Sequence, residues 1–351
     1  MNRQNIHITN YDNFDKVFTY LHLYKASMKA QRNVGWKGSV QKYKMKRNIN
    51  LATTLKKLRN QTYKSMGFYE FVKVERGKPR LIKSNHISER VVQKCLCDYS
   101  LTPILKRKLI YDNGATLKHK GCLFVINRTK LFMRKALKKS KTLYFLTMDF
   151  HSYFENINHD ILIKEVSRYY SDYRLINLYI HFIKCFGKKG LGLGSQVSQI
   201  SAIFYIHTID NIIKHYCKHK YYTRYMDDSI IIDESKEKLK HTLKVIKRVC
   251  DYYDIELNEK KTIISKNRCS YLKRQFIISD KLITKPMKDS YYRMFRKLKV
   301  FFKWYKENKI SLENIETSYQ SWKSHFLTDN AKILLHKANI KYNSFKENYL
   351  W

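Results

Sequence analysis

Apolar residues recur along the chain with two distinct periods. Between Gln199 and Tyr216, the residues Ile200, Ile203, Phe204, Ile209, Ile212, Ile213 and Tyr216 fall at helical spacing and predict helix. Leu239, Leu243, Ile246, Cys250 and Tyr253 repeat the spacing, and Val91, Val92, Cys95 and Leu96 predict helix within 86–109. From about Pro286 onward, Tyr291, Met294, Phe295, Leu298, Phe301, Phe302 and Tyr305 form an apolar helical stripe. A second stripe, Ile315, Tyr319, Trp322 and Phe326, follows Ser311, whose hydroxyl suits a helix N-cap. Elsewhere the period shortens. Leu143 to Met148 is an apolar-rich run ending in Asp149, the pattern of a buried strand that delivers a carboxylate at its end. Tyr221–Tyr225 and Ser229–Ile232 flank Met226-Asp227-Asp228 and predict a hairpin with its acids at the bend. Phe68–Val74 and Pro79–Ile82 flank Glu75-Arg76-Gly77-Lys78 and predict a second hairpin with a basic tip.

These elements describe an α+β protein. The texture divides it into a basic helical arm over 1–60, a mixed region over 61–285 and a helical unit over 286–351, with no repeat and no flexible linker. At 351 residues, 44% of them hydrophobic, the chain can fill a generous core. Its 28 Tyr, 18 Phe and 4 Trp exclude a disordered chain, and its 3 Pro and 10 Gly exclude collagen-like or low-complexity structure.

Charge changes the picture most. The chain carries 70 Lys and Arg against 29 Asp and Glu, a formal charge of +41. A general bias toward lysine would raise glutamate with it; scarce acids point instead to a surface that meets nucleic acid. Arg293, Arg296, Lys297 and Lys303 surround the stripe beyond Pro286 and are expected to contact such a partner. The amino-terminal MNRQNIHITNYDNF has no apolar core of a signal peptide, and no run approaches the ~18 apolar residues of a membrane span. Seven cysteines without a Cys-x-x-Cys pair read as reduced thiols, so a cytoplasmic location and no membrane partner are expected. His215, Cys217 and His219 alternate in a way that would splay them around a helix, and no second ligand pair follows at zinc spacing. They are expected to be ordinary structural residues.

The candidate chemistry lies in Asp149, Asp227 and Asp228. Three carboxylates brought together repel one another unless cations join them. Hard divalent ions, here two Mg²⁺ with Mn²⁺ as substitute, would activate an attacking hydroxyl and stabilise a leaving oxygen. An Asp-Asp pair alone is usually a solvated loop; at the bend of an aromatic and isoleucine-rich hairpin in so basic a chain it carries more weight.

RYMDDSIII, from Arg224 to Ile232, resembles the catalytic hairpin of reverse transcriptases, with its Tyr-x-Asp-Asp hallmark. LTMDFHSYFENINHD, from Leu146 to Asp160, resembles the same family's first acidic motif. In order along the chain, FVKVERGKPRLI is similar to the fingers hairpin, HISERVVQKCL to the helix after it, and LGLGSQVSQISA to the loop and helix beneath the templating base. LNEKKTII and YLKRQFII are similar to the element after the hairpin and to the primer grip. The resemblance covers roughly residues 60–285. It implies a right-hand polymerase with fingers, a palm of antiparallel sheet and helices, and a short helical thumb.

The implied activity is RNA-directed DNA synthesis, with deoxynucleotides as substrates, an RNA template and a DNA product. By position, Asp149, Asp227 and Asp228 would bind the metals, with the Phe150 carbonyl as a further ligand. Lys73 and Arg80 match the residues that hold the incoming triphosphate, and Phe154 matches the gate that rejects a 2′-hydroxyl. Lys261, with Lys260 as the alternative one residue away, matches the lysine that protonates leaving pyrophosphate. Two positions depart from the family: Leu193 stands where glutamine is usual beneath the base, and Gln199 follows Ser198 in place of proline. Ser-Gln here is similar to diversity-generating, abortive-infection and other phage-defence reverse transcriptases of bacteria. The expectation is a polymerase working with a dedicated structured RNA in phage defence. Open beside it are diversity generation, template-independent or protein-primed synthesis, and an RNA-binding scaffold that has kept a polymerase shape. Room for a ribonuclease H, protease or integrase domain is not expected, and assembly with a second copy or a second protein stays open.

Overall fold

The computed structural model describes residues 10–75, 77–327 and 329–350. Among the described residues the architecture mixes helices with three antiparallel sheets, in agreement with the α+β expectation. The largest sheet has four strands in the order β4-β5-β3-β6: β3 (Tyr144–Met148), β4 (Tyr221–Tyr225), β5 (Asp228–Asp233) and β6 (Ile263–Lys266). The run before Asp149 is therefore an interior strand, flanked by β5 on one side and β6 on the other. Side chains alternate across it, as a period of two requires. Leu146, Met148, Tyr222 and Ile231 enter the main core, whereas Phe145, Ile230 and Ile232 enter a second core. The helix α7 (Cys122–Leu137) and the sheet β7 (Arg268–Tyr271), β8 (Arg274–Ile278) and β9 (Leu282–Pro286) supply the rest of that second core. With both faces covered, the isoleucine-rich strands need no polar face.

Toward the amino terminus, α1 (Phe14–Val17), α2 (Tyr20–Ala30), α3 (Gly38–Met45) and α4 (Arg47–Arg59) precede a two-stranded sheet, β1 (Phe68–Glu75) with β2 (Lys78–Asn85). Arg76, expected in its basic tip, lies outside the described residues, as do residues 1–9 of the basic arm. The helices are not a loose appendage: Phe14, Val17 and Leu23 share one buried cluster with Val91, Leu96 and Ile200. Next come α5 (Ile87–Leu96), a wide π turn over Cys97–Leu101 and α6 (Thr102–Leu105).

After β3 stand α8 (Tyr153–Asn156), α9 (His159–Ser167) and α10 (Tyr173–Lys184). The helical stretch expected over 199–216 is three pieces: α11 (Gln196–Tyr205), α12 (His207–Asn211) and a π turn over Ile212–Tyr216. Ile206 leaves helical geometry at φ −100°, ψ 18°, and Cys217 N–H then bonds the Ile212 carbonyl five residues back. Apolar spacing persists through both breaks, so periodicity alone could not show them. α11 is buried nearly all round, with Ile200, Ile203 and Phe204 fully covered.

Helix α13 (Lys236–Tyr252) covers β3 and β5. At the carboxyl end α14 (Lys288–Lys306), α15 (Leu312–Ser324) and α16 (Lys332–Leu350) pack on one another around Leu298, Phe302, Ile315 and Tyr319. Ser311 caps α15 as expected, accepting from Asn314 N–H. A buried ionic cluster ties this bundle back to the sheets. Asp329, between α15 and α16, accepts from Lys130 of α7 at 2.6 Å and from Arg274 of β8 at 2.9 Å. Asn330 extends the edge of β9 by exchanging bonds with Thr284. Among the described residues no helix is long and apolar enough to cross a membrane, and all seven cysteines are unbridged.

Candidate active site

The acids come together because of strand register. Met148 pairs with Ser229, so the next step along β3 sets Asp149 opposite Asp228, at the tip of the sheet. Tyr225 pairs with Asp228, leaving Met226 and Asp227 as a two-residue turn. Met226 sits at φ +57°, a left-handed backbone that a residue with a Cβ adopts only under constraint. The constraint is Arg224, fully buried, whose Nη1 donates to the Met226 carbonyl at 2.9 Å. The same guanidinium grips Asp210 of α12 and the Ile203 carbonyl of α11. Asp210 also accepts from Tyr222 at 2.7 Å. From the other side Tyr271 of β7 donates toward the Asp228 carbonyl at 3.3 Å.

Asp149 is buried, and the chain after it is fastened on both sides. Its carbonyl accepts Asn258 N–H, and His151 N–H reaches the Glu256 carbonyl, each at 2.8 Å. Phe150 thus sits in an isolated bridge with Leu257. Lys261 donates its ammonium to Asp149 Oδ2 at 2.5 Å, while the neighbouring Lys260 is exposed. That hydrogen bond is the main reason the Lys261 pKa is raised.

The electrostatics carry the mark of crowded carboxylates. Burial, then the negative charge of the neighbouring Asp149, push the Asp227 pKa upward. Asp228 keeps its outer face open, yet burial against the sheet tip followed by the charges of Asp227 and Asp149 raises it to about 7. Groups held in this way accept a proton or a cation readily. As the side chains stand, no three His, Cys, Asp or Glu among the described residues form a ready metal cage, and Lys261 supplies the positive charge. The donor set is nevertheless all oxygen, the chemistry that Mg²⁺ prefers.

Around this centre the remaining expected residues fall into three groups. Lys73 and Arg80 are directly cross-paired on β1 and β2, so both project from one face of the hairpin. Phe154, half-buried on α8, accepts Leu191 N–H through its carbonyl at 2.7 Å and so abuts the loop that holds Leu193. Gly194 in that loop has φ +112°, and a Cβ there would come within 3.2 Å of the Lys83 carbonyl on β2. Gln199 is exposed on α11, while Ser198 is buried. The third group, on α14, is remote from the acids in the chain and belongs to the carboxyl-terminal bundle. There Arg296 and Lys303 are exposed, Lys297 donates to Ser318 at 2.8 Å, and Arg293 pairs with Asp289.

Sequence reasoning missed the struts between these groups. Glu89, fully buried, accepts from Ser65, the Met66 amide and Asn85, and so fixes the base of the β1–β2 hairpin. One turn later Gln93 accepts from Ser195, the N-cap of α11. A charged or amide residue in an otherwise apolar helical face, as in Glu89 and Gln93 beside Val91 and Val92, was the available signal. Arg224 left a similar one, a lone cation inside a strand. His215, Cys217 and His219 do not form a metal site: His219 is buried between Asp233 and Thr242, while His215 faces solvent.

Residues 50–275 match the family model described as reverse transcriptase (RNA-dependent DNA polymerase). Among solved structures, the chain is similar to telomerase from Candida albicans in complex with a TWJ fragment of telomeric RNA. That likeness has 12% identity and a TM-score of 0.51, covering 84% of this chain and 58% of the other. It is also similar to apo telomerase from Candida tropicalis truncated from its C-terminal domain, at 16% identity and TM-score 0.47 over 68% and 60% of the two chains. The likeness concerns the fold, and the chain spans well under two thirds of the length of either structure. No curated protein sequence matches it. With the family match running over more than half of its length and the paired acids at the tip of the antiparallel sheet, the chain belongs to the reverse transcriptase family.

Proposed function

We propose that the protein is an RNA-directed DNA polymerase that extends a primer with deoxynucleotides at the Asp149–Asp227–Asp228 centre. The observation that carries this reading is the register that sets Asp149 opposite Asp228, close enough to Asp227 for its charge to raise that neighbour's pKa. The primer 3′-hydroxyl attacks the α-phosphorus, a new phosphodiester forms, and the bond to pyrophosphate breaks. Asp149, Asp227, Asp228 and the Phe150 carbonyl would hold two Mg²⁺, or Mn²⁺ in their place, which supply Lewis acidity at the attacking and leaving oxygens. Lys73 and Arg80, presented on one face of the hairpin, neutralise the β- and γ-phosphates, Arg80 with the geometry for bidentate contact. Lys261, kept protonated by its bond to Asp149, is the proton donor to leaving pyrophosphate.

Phe154, fixed against the Leu191 backbone, forms the floor under C2′ and excludes a ribose hydroxyl. Leu193 and Gln199 line the region beneath the base pair. On this reading residues 61–285 are fingers and palm, the 1–60 segment is a basic amino-terminal arm whose helices from Phe14 onward pack against them, and 286–351 are the thumb. Arg293, Arg296, Lys297 and Lys303 then face the nucleic-acid duplex. The Ser198-Gln199 pair and the charge of +41 support a dedicated structured RNA as template and a role in bacterial phage defence.

Primer extension on poly(rA)/oligo(dT) with Mg²⁺ tests the central claim. Asp227→Ala and Asp228→Ala should each lower incorporation by at least about 10³-fold, the scale of losing transition-state charge stabilisation, while RNA affinity is held or slightly raised. Tight RNA binding with no incorporation by wild type on any template would favour the scaffold reading. Unchanged phage plaque counts on cells expressing wild type and Asp227→Ala would remove the defence role.

A further inference from the structure

A second cationic site lies away from the acids, where the π turn over Ile212–Tyr216 runs into β4. The turn swings Lys214 and His215 outward and, with Lys218 and Lys220, borders an open cavity of about 600 Å³. Asp112 and Tyr111 close its opposite wall.

The charge balance of this cavity is uneven. Asp112 is already engaged by Arg128 at 2.5 Å, so it meets the Lys214 ammonium only at 3.8 Å. Lys214 is half-buried and donates to the Lys220 carbonyl at 3.1 Å, a neutral partner that offsets little of its charge. Burial holds its pKa below the ordinary amine value. Lys218 and Lys220 are exposed, and neither is ion-paired among the described residues. At the mouth, Tyr111 is 67% exposed and carries Lys120 at 4.5 Å and Arg128 at 5.3 Å from its ring, so the row of cations continues beyond the cavity. His219 does not enter this balance, being bonded inward to Asp233 and Thr242.

We propose that this cavity binds backbone phosphate of an RNA strand outside the catalytic groove, with Lys214, Lys218 and Lys220 as its ligands. A half-buried ammonium whose neighbouring carboxylate is neutralised by Arg128, with two exposed lysines in the same lining, calls for an anion, and the volume admits a phosphate with its sugar. The mouth is open, and the cation row leads out of it past Tyr111. That shape suits a polymer passing through better than a small molecule enclosed. The inference rests on the reading that the protein works with RNA, and it gives that RNA a second anchor. This anchor stands before β4, whereas the acidic bend follows the strand.

The test uses the full chain and a fluorescein-labelled RNA hairpin with a single-stranded tail, read by anisotropy across a salt series. Lys218→Glu/Lys220→Glu should weaken binding about tenfold or more and flatten the slope of log K against log salt by about 1.4, the loss of two single-strand phosphate contacts. A charge-matched control on exposed turns of α13, Lys244→Glu/Lys247→Glu, should change the slope by less than half as much. Equal effects of the two double variants would overturn the site, leaving only diffuse attraction. Both pairs are at the surface, and thermal melts compare their folding; Lys218→Gln/Lys220→Gln keeps the question answerable if charge reversal unfolds the chain. Inorganic phosphate and dATP serve as competing arms. Loss of dATP or phosphate binding in the lysine variant, with RNA affinity untouched, would overturn the RNA assignment. Failure of wild type to extend a primer would sink the polymerase reading and leave this comparison standing.

Discussion

Asp228 carries opposite demands at a single carboxyl group. Burial and two neighbouring acids raise its pKa to about 7, well above the ~3.9 of an unfolded aspartate. Its ionisation therefore favours the unfolded chain: the stability it contributes is fully present below about pH 4 and is lost as pH rises through about 7. In chelator-treated protein, wild type should lose stability as pH rises from about 4 to about 7, and Asp228→Asn should show a flatter profile and a higher Tm at pH 8. Equal slopes in urea titrations at each pH would show that the carboxyl titrates like a free one. Added Mg²⁺ should raise the wild-type Tm at pH 8 and leave the variant's nearly unmoved. Phe154 makes a second prediction at this scale. Phe154→Ala removes the ring that would lie beneath the sugar, so discrimination between dTTP and UTP should fall by about 10–100-fold, the range for losing one steric contact in a pocket. Unaltered discrimination in single-turnover assays would place the gate elsewhere.

Among the elements, strands were more legible than helices. An apolar run closed by an acid and a hairpin bearing Asp-Asp at its bend appear in the structure as β3 and β4–β5, because a two-sided buried sheet writes itself into sequence as uninterrupted isoleucine, leucine and tyrosine. The helical stretch over 199–216 hides its breaks because Ile206 and the π turn after Asn211 change backbone hydrogen bonding without disturbing apolar spacing. Buried ionic struts were also invisible. Arg224–Asp210 and Lys130–Asp329–Arg274 join residues from distant elements, and no local pattern pairs them. The second cluster makes a testable joint. Asp329→Ala would remove the carboxylate that two buried cations share, a loss of about 3–5 kcal/mol, and loosen the last two helices from β8 and β9. The expected outcome is a lower urea midpoint together with shorter extension products at unchanged first-nucleotide rate. Product lengths matching wild type would show that the joint serves stability alone.

At the scale of the whole molecule, the three sheets divide the labour of presentation. One sheet carries the acids, the β1–β2 sheet carries Lys73 and Arg80, and β7–β9 is clamped to the carboxyl-terminal bundle. Their common medium is a charge of +41, too large to be answered within the fold. The acids were recognisable in sequence because two of them are adjacent and the third ends a strand; how they meet depends on pairing between β3 and β5, and that is a property of alignment between segments far apart in the chain. A consequence concerns which changes of length such a protein tolerates over generations. Loss or gain of one residue inside 144–148 or 228–233 would shift one acid past the other and turn every neighbouring side chain to the opposite face. The same change at the exposed bend of Gly187 and Lys188, ahead of the bridge between Lys189 and Asn158, leaves that alignment untouched. Lineages descending from this sequence should therefore drift in length between the two acidic segments and hold their strands to an unvarying count.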